Sequence, residues 1–160
     1  MANFKRPVGL AAIALSLTAA APASSVSPAS VASSAASASL TVEVYNVRND
    51  KGEIRICMTQ DVENFLDCRD DPGAVKVQVP AFRDEGVIEV PELTAGTWVA
   101  LLLHDENANG KMSKALGIPK EGFGFSGNPA IRMGPPRAED VRFDLPAGHS
   151  TQRVKMKYIL

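Results

Sequence analysis

The sequence predicts an all-β domain over residues 40–160, a seven-stranded antiparallel β-sandwich. Two observations lead to this class: apolar and polar residues alternate in several short runs, and Gly, Pro and Asn separate these runs. Alternation with a period of two places one side of a strand in a core and the other side in solvent. Since no stretch shows a clear helical period, we expect two packed sheets without large helices.

The first two strands are predicted at residues 40–45 (LTVEVY) and 54–58 (IRICM). Between them, residues 49–52 (NDKG) combine Asn, Asp and Gly, which favour tight turns. We therefore expect these strands to form a β-hairpin with a loop of about four residues.

Residues 75–79 (VKVQV) and 88–90 (IEV) alternate in the same way, and each run is followed by a proline, Pro80 or Pro91. A proline removes a backbone donor from the ladder, so it marks the predicted end of each strand. Residues 98–103 (WVALLL) are almost all apolar. This composition predicts a central fifth strand that is covered on both faces.

The last two strands are predicted at residues 141–145 (VRFDL) and 154–158 (VKMKY). Between the fifth and sixth strands, residues 104–137 show no strand pattern and are rich in Gly and Pro. Ordered loops longer than about 15 residues are uncommon unless they have a function. We expect a long ordered loop over one end of the domain, which either closes the core or forms one wall of a binding site.

The N-terminus has the order of a secretory signal peptide over residues 1–23. Lys5 and Arg6 precede an apolar segment, residues 8–21, after which small residues follow. This segment is shorter than the roughly 20 residues of a membrane-spanning helix. Residues 24–39 contain only Ser, Ala, Val and Pro, a composition typical of a flexible tether. We therefore expect a periplasmic or secreted domain without a transmembrane segment after cleavage.

Cys57 and Cys68 are the two cysteines of the chain. In an exported protein such a pair favours a disulfide, which would hold residues 61–72 across the outer face of the second strand. A metal pair or a redox dithiol would favour a C-x-x-C spacing or nearby histidines, and neither accompanies these cysteines.

The charge balance argues against a nucleic-acid partner. Loss of Lys5 and Arg6 with the signal peptide leaves 15 basic and 18 acidic residues. The basic residues are scattered along the chain, so the sequence predicts no polybasic patch for a membrane either.

Polar side chains concentrate at residues 104–111 (HDENANGK), directly after the apolar fifth strand. Side chains that could form a binding surface occur here and further along the loop. The candidate residues are His104, Asp105, Glu106, Asn107, Asn109, Lys111, Phe123, Phe125 and Ser126.

Part of this segment matches a calcium-binding loop. Asp105, Asn107 and Asn109 hold its first, third and fifth positions, and Gly110 holds the sixth. Leu116 stands at the twelfth position, where a bidentate carboxylate is needed. The alternative is an Asx-rich turn whose side chains accept hydrogen bonds from their own backbone.

An alternative is that the chain is an enzyme, either a small secreted hydrolase or a metal-dependent enzyme. Either activity would use His104, Asp105 and Glu106. Adjacent residues of a strand point to opposite faces, which places His104 and Asp105 poorly for a catalytic dyad. Ser126 lacks the G-x-S-x-G turn of a nucleophilic serine. Residues 122–127 match the letters G-x-G-x-x-G, but no buried strand precedes them and Asn128 with a following proline replaces the expected helix start. We therefore expect no enzyme activity and no cofactor.

Four motifs give the chain a family resemblance. They are Leu93-x-x-Gly96-x-Trp98, HDENANGK at residues 104–111, LGIPKEGFGFS at residues 116–126, and GPP at residues 134–136. With these motifs the chain resembles the secreted bacterial family catalogued as domain of unknown function 2141. The resemblance covers almost everything after the tether. It implies a small exported β-sandwich of the transthyretin-like or carboxypeptidase-regulatory-like kind, and it implies no substrate, cofactor or catalytic residue.

The predicted function is an exported binding or interaction module of the cell envelope, with residues 104–137 as the contact surface and an unknown protein or glycan as the partner. The enzymatic alternatives and a calcium-stabilised structural module remain open at this point.

Overall fold

The structure is a computed structural model that describes residues 36–132 and 134–160. The predicted signal peptide and residues 24–35 of the predicted tether lie outside the described residues. The first strand, β1, begins at Ser37, three residues before the predicted start of the domain, and Ala38 is already buried.

The described chain is mostly β-structure, as predicted, but it contains ten strands. These are β1 (Ser37–Val47), β2 (Glu53–Thr59), β3 (Val75–Pro80), β4 (Asp84–Thr94), β5 (Gly96–Asp105), β6 (Lys114–Ala115), β7 (Ile118–Pro119), β8 (Gly122–Phe125), β9 (Arg142–Leu145) and β10 (Gly148–Lys155). A 3-10 turn at Phe65–Asp67 and a one-turn helix, α1 (Ala138–Val141), complete the described elements. None of these helices is long and apolar enough to cross a membrane.

Two larger sheets carry eight of the ten strands. One has the order β10-β1-β4, and the other has the order β3-β2-β5-β8 with β9 also paired to β5. β6 and β7 form a separate two-stranded hairpin. β1 and β10 run parallel, whereas the other strand pairs are antiparallel. The prediction of a wholly antiparallel fold was therefore wrong for this pair.

The predicted hairpin between the first two strands was also wrong. β1 pairs with β4 and β10, while β2 pairs with β3 and β5, so residues 48–52 connect two different sheets. Alternation shows which face of a strand is buried, but it does not show which strand lies beside it. Two strands on opposite sides of one core have the same pattern as two strands of a hairpin.

β4 continues past Pro91 to Thr94, where the sequence predicts an end. β4 lies at the edge of its sheet, and its register with β1 shifts between Ala38 and Leu40. A proline is tolerated at an edge or a bulge because its missing donor is not needed there. Glu92 adopts a positive φ of 59° at this irregularity.

The main hydrophobic core combines buried side chains from both larger sheets. It includes Leu40, Val42 and Val44 of β1, Ile54, Ile56 and Met58 of β2, Ile88 and Val90 of β4, Trp98, Ala100 and Leu102 of β5, and Val154 of β10. A second cluster on the other side of β5 contains Val99, Phe65 and Val141. The prediction that β5 is covered on both faces is therefore confirmed.

The Cys57–Cys68 disulfide is present, and it positions part of the second hydrophobic cluster. Phe65, in the loop that the disulfide closes, packs with Val99 on the outer side of β5. Val141 contributes from α1, although the sequence predicts it within a strand; the strand β9 begins one residue later at Arg142.

The segment predicted as a loop without strands contains β6, β7 and β8. β8 pairs with β5, with Phe123 opposite Leu103 and Phe125 opposite Leu101. Its sequence, GFGF, has glycine at every second position, which hides the usual alternation. β6 and β7 have two residues each, too few to show a period.

Candidate functional site

The candidate site is the end of the molecule formed by residues 104–121, Arg48 and residues 158–160, which we call the hairpin end. His104, near the end of β5, is fully buried beneath it. Its Nε2 lies 2.9 Å from the Lys51 carbonyl oxygen and its Nδ1 lies 2.8 Å from the Tyr158 hydroxyl. A carbonyl only accepts hydrogen bonds, so Nε2 carries the proton and Nδ1 accepts from Tyr158.

The Tyr158 ring reaches His104 because β8 has a glycine where the ring passes. A Cβ at Gly122 would lie 2.3 Å from the Tyr158 ring. Burial raises the pKa of the Tyr158 hydroxyl, which therefore remains a donor to His104. Both nitrogens of His104 thus hold structural partners, and proton transfer to this ring would require breaking the Tyr158 bond.

Asp105 organises the turn after β5 with a fully buried carboxylate. Its Oδ1 accepts the Asn109 backbone N–H at 3.0 Å, and its Oδ2 accepts the Gly110 N–H at 2.7 Å. Arg55 Nε donates to the same Oδ2 at 3.0 Å. Three N–H donors therefore surround this carboxylate.

Asn107 and Asn109 continue the same pattern at the surface. The Asn107 side-chain oxygen accepts the Asn109 N–H at 3.1 Å, and the Asn109 oxygen accepts the Lys111 N–H at 3.0 Å. Both amide groups donate to Ser113 Oγ. The geometry is that of an Asx-rich turn. Within residues 36–132 and 134–160, no three His, Cys, Asp or Glu side chains are grouped as metal ligands.

Arg48 joins three separate segments at the hairpin end. Its Nε donates to Glu106 Oε1 at 2.9 Å, and its Nη2 binds Glu106 Oε2 and the Lys120 carbonyl. Its Nη1 donates to the Leu160 carbonyl, and its guanidinium lies 4.5 Å from the centre of the Tyr158 ring. Hydrogen bonds from Arg48 lower the pKa of Glu106 to about 2, in spite of the opposing effect of burial.

Glu121 closes the base of the β6–β7 hairpin. Its side chain is buried, and Oε2 accepts the Ser113 N–H at 2.8 Å. Oε1 has no hydrogen-bond partner among the described residues. The Lys120 N–H donates to the Ser113 carbonyl at 2.9 Å beside it.

The tip of the β6–β7 hairpin is Leu116 followed by Gly117. Both have positive φ, 50° and 82°, as a two-residue type I′ turn requires. A leucine in this conformation costs about 1 kcal/mol relative to an ordinary backbone geometry. The Leu116 side chain is fully exposed, at 102% of its reference area.

The predicted binding residues fall into two groups. Asn107, Asn109 and Lys111 are exposed and Glu106 and Phe125 are half-buried, whereas His104, Asp105, Phe123 and Ser126 are buried. Ser126 Oγ bonds to the Ala100 N–H and to the Val141 carbonyl, so it fixes β8 against its neighbours. The buried members support the hairpin end from below instead of forming its surface.

Sequence reasoning missed Arg48, Glu121 and Tyr158. Arg48 and Tyr158 come from distant segments and belong to no local motif. Glu121 lies within the motif at residues 116–126, but nothing in that motif predicts its burial. The turn at Leu116 had no sequence signal either, because the strands beside it have two residues each.

A second polar network lies on the outer face of the β10-β1-β4 sheet. The Thr41 hydroxyl donates to Glu89 at 2.9 Å and therefore accepts from His149 Nε2 at 3.0 Å. His149 Nδ1 then accepts from the Ser39 hydroxyl at 3.1 Å. His149 lies on β10 opposite Ser39.

Comparison with known proteins gives a family and no functional neighbour. No curated protein and no solved structure matches the chain. A family model described as an uncharacterized protein conserved in bacteria matches residues 42–154, which include β2 to β9 and all of the hairpin end except residues 158–160. The family resemblance seen in the sequence motifs is therefore confirmed, and the chain belongs to the bacterial family DUF2141.

Proposed function

We propose that this chain is an exported binding or interaction module of the cell envelope, with its contact surface in residues 104–137. The observation that carries the proposal is Leu116, a fully exposed aliphatic side chain on a left-handed backbone. This conformation costs free energy and buries nothing in the core. Backbone strain of this kind is concentrated at functional sites, which supports a role in contact.

The base of the loop supports such a role because it is rigidly attached. Asp105 and Glu121 are buried and accept backbone N–H groups from residues 109–113. His104 lies beneath them and is hydrogen-bonded to Tyr158 and to the Lys51 carbonyl. A contact loop on a rigid base loses less conformational entropy when it binds.

Export and architecture are the other two parts of the proposal. The Cys57–Cys68 disulfide is compatible with an oxidising compartment, as expected behind the predicted signal peptide. The core shared by the two larger sheets supports a β-sandwich, and the family resemblance suggests the transthyretin-like or carboxypeptidase-regulatory-like kind.

The test is retention of an envelope component, protein or glycan, by the immobilised domain. The double variant Leu116→Ser with Ile118→Ser should lose retention without losing stability, because both side chains are exposed. Val87→Ser is the control, since Val87 is also an exposed aliphatic residue and lies on a different sheet. Equal retention by the wild type and the hairpin variant would contradict the proposal.

A second candidate function, a small hydrolase, is supported by the Ser39–His149 pair and not by His104. His149 Nδ1 accepts a hydrogen bond from the Ser39 hydroxyl, and its Nε2 donates to Thr41, which donates to Glu89. A serine, a base and an acid are thus linked as in a catalytic triad, but with Thr41 between the base and the acid. Labelling with a fluorophosphonate probe tests it. If the chain is a hydrolase, the probe should label the wild type, and Ser39→Ala and His149→Gln should each abolish labelling. A wild type that is not labelled would exclude this function.

A further inference from the structure

Exposed aliphatic side chains are concentrated at the hairpin end. Large hydrophobic residues with exposed side chains are Leu66, Val87, Leu116, Ile118, Ile159 and Leu160 in the described part of the chain. Leu116 and Ile118 belong to the β6–β7 hairpin, and Ile159 and Leu160 end the chain. Four of these six therefore come from two short segments.

One guanidinium holds these two segments together. Arg48 Nη2 donates to the Lys120 carbonyl at 2.9 Å, and Nη1 donates to the Leu160 carbonyl at 2.5 Å. Lys120, which follows β7, and Leu160 thus contact the same side chain. The four aliphatic residues lie at the same end of the domain.

The same end is locally cationic, although the whole chain has a formal net charge of −1. Residues 107–120 contain Lys111, Lys114 and Lys120, all exposed, and no Asp or Glu. The neighbouring carboxylates do not lie among these lysines on the exposed surface. Glu106 binds Arg48, Asp105 is buried and shares Arg55 with Glu53, and Glu121 is buried under the hairpin. The basic residues are scattered over the chain as a whole, but these three lysines lie within ten residues of one another on both sides of the apolar tip.

The composition of this surface distinguishes between classes of partner. Protein interfaces obtain most of their binding energy from Trp, Tyr and Arg, and they are depleted in Lys. Here the larger exposed side chains of residues 107–120 are Leu, Ile, Lys and Asn, and the apolar tip projects from a two-residue turn. Arg48 is exposed beside them, but its guanidinium is bound to Glu106 and to the carbonyls of Lys120 and Leu160. A lipid surface accepts projecting aliphatic groups without a matching pocket, and anionic headgroups attract lysine.

We propose that Leu116 and Ile118 insert at the interface of an anionic lipid bilayer while Lys111, Lys114 and Lys120 bind its headgroups. This inference rests on the proposed function, because it names the chemistry of the surface that the hairpin contacts. The insertion is peripheral and reversible, since two aliphatic side chains and three lysines together provide only modest partitioning.

The experiment is co-sedimentation of the full mature domain with vesicles. One set contains phosphatidylcholine alone, and the other contains phosphatidylcholine mixed with phosphatidylglycerol. We expect binding to the mixed vesicles that weakens as salt is added, because salt screens the lysines. Replacing the three lysines by Gln should reduce binding about 100-fold, since each lysine near an anionic surface contributes about fivefold. Leu116→Ser with Ile118→Ser should reduce it about tenfold, and Val87→Ser should not change it.

The outcomes separate this inference from the proposed function. Equal binding to neutral and mixed vesicles, or no binding to either, overturns the lipid inference. If the hairpin variant still loses retention of an envelope component in that case, the proposed function stands with a protein or glycan partner. Vesicle binding and envelope retention that both survive in the hairpin variant overturn both proposals. Thermal melts of all variants exclude unfolding as the cause.

Discussion

The guanidinium of Arg48 holds both carboxylate oxygens of Glu106, with Nε 2.9 Å from Oε1 and Nη2 against Oε2. This pair joins the chain after β1 to the turn after β5, segments that belong to different sheets. Two-point contacts between arginine and a carboxylate are stronger than single ion pairs. The pair therefore locks the hairpin end onto the opposite sheet.

The first prediction concerns the pH dependence of this pair. The pKa of Glu106 is about 2 in the folded protein, against an ordinary value of 4.5. A lowered folded pKa contributes stability above pH 4.5, which is lost as the pH falls from there towards 2. Because Arg48 is partly exposed, solvent screening reduces this contribution to about 1–2 kcal/mol.

We expect Glu106→Gln to lower the free energy of unfolding by that amount at pH 7 and to match the wild type near pH 2. Urea denaturation at both pH values measures it. Glu43→Gln is the control, since Glu43 lies 3.7 Å from the exposed Arg153 and should change little. A deficit of equal size at both pH values would show that the ion pair is not its source.

The sequence predicts burial well and strand neighbours poorly, for a physical reason. Alternation at residues 40–45 and 54–58 correctly identifies the buried faces of β1 and β2, because each side chain is either in the core or out of it. Pairing depends on hydrogen bonds between backbones that are identical for all sequences. The sequences of β1 and β10 therefore do not indicate that these two strands pair, or that they pair in parallel.

The same division applies to the candidate site. The Asx turn of Asp105 and Asn109 is local, with partners within five residues, so its residue types predict it. The cluster of Arg48, Glu106 and Tyr158 is assembled by the fold from distant segments. No spacing rule connects such residues before the topology is known.

The second prediction concerns the Asp105 turn. Asp105→Ala would leave Arg55 Nε and the N–H groups of Asn109 and Gly110 without their acceptor. We expect a loss of about 2–4 kcal/mol in the free energy of unfolding, since this carboxylate is fully buried. Asn107→Ala, at an exposed position, should lower the free energy of unfolding by less than about 0.5 kcal/mol.

Calcium should not change this result. The oxygens of Asp105 already accept three N–H donors, which occupy the directions that an ion would need. Thermal melts of the wild type in calcium and in chelator should coincide. A calcium-dependent increase in Tm that disappears in Asp105→Ala would instead establish the calcium-stabilised module.

The third prediction tests the double cover of β5. Val99 and Leu102 face opposite sides of this strand, and both are buried. Either residue replaced by Asp would bury an unpaired charge, so both variants should fail to fold. Lys155→Asp on the exposed side of β10 should remain folded by circular dichroism. A folded Val99→Asp protein would show that the second cluster is not a true core.

The fourth prediction concerns the disulfide between Cys57 and Cys68. Closing a loop of this length restricts the unfolded chain, so reduction should lower stability by about 2–4 kcal/mol. The larger core does not depend on this loop, and the sheets should persist. Denaturation with and without reductant measures the loss. Thiol labelling of the unreduced, denatured protein should find no free cysteine, and two reactive thiols per chain would refute the bond.

The last prediction compares two glycines that both have positive φ, Gly52 at 69° and Gly117 at 82°. A Cβ at Gly52 would lie 2.0 Å from the Asp105 carbonyl oxygen, whereas a Cβ at Gly117 would meet nothing within 4 Å. Gly117→Ala should therefore cost only the backbone strain, about 1 kcal/mol. Gly52→Ala adds a collision with backbone that cannot move without breaking the Asp105 turn and the Lys51 bond to His104. We expect a loss of about 3 kcal/mol or more in urea denaturation. Equal losses in the two variants would mean that only local strain matters and that residues 48–52 do not support the hairpin end.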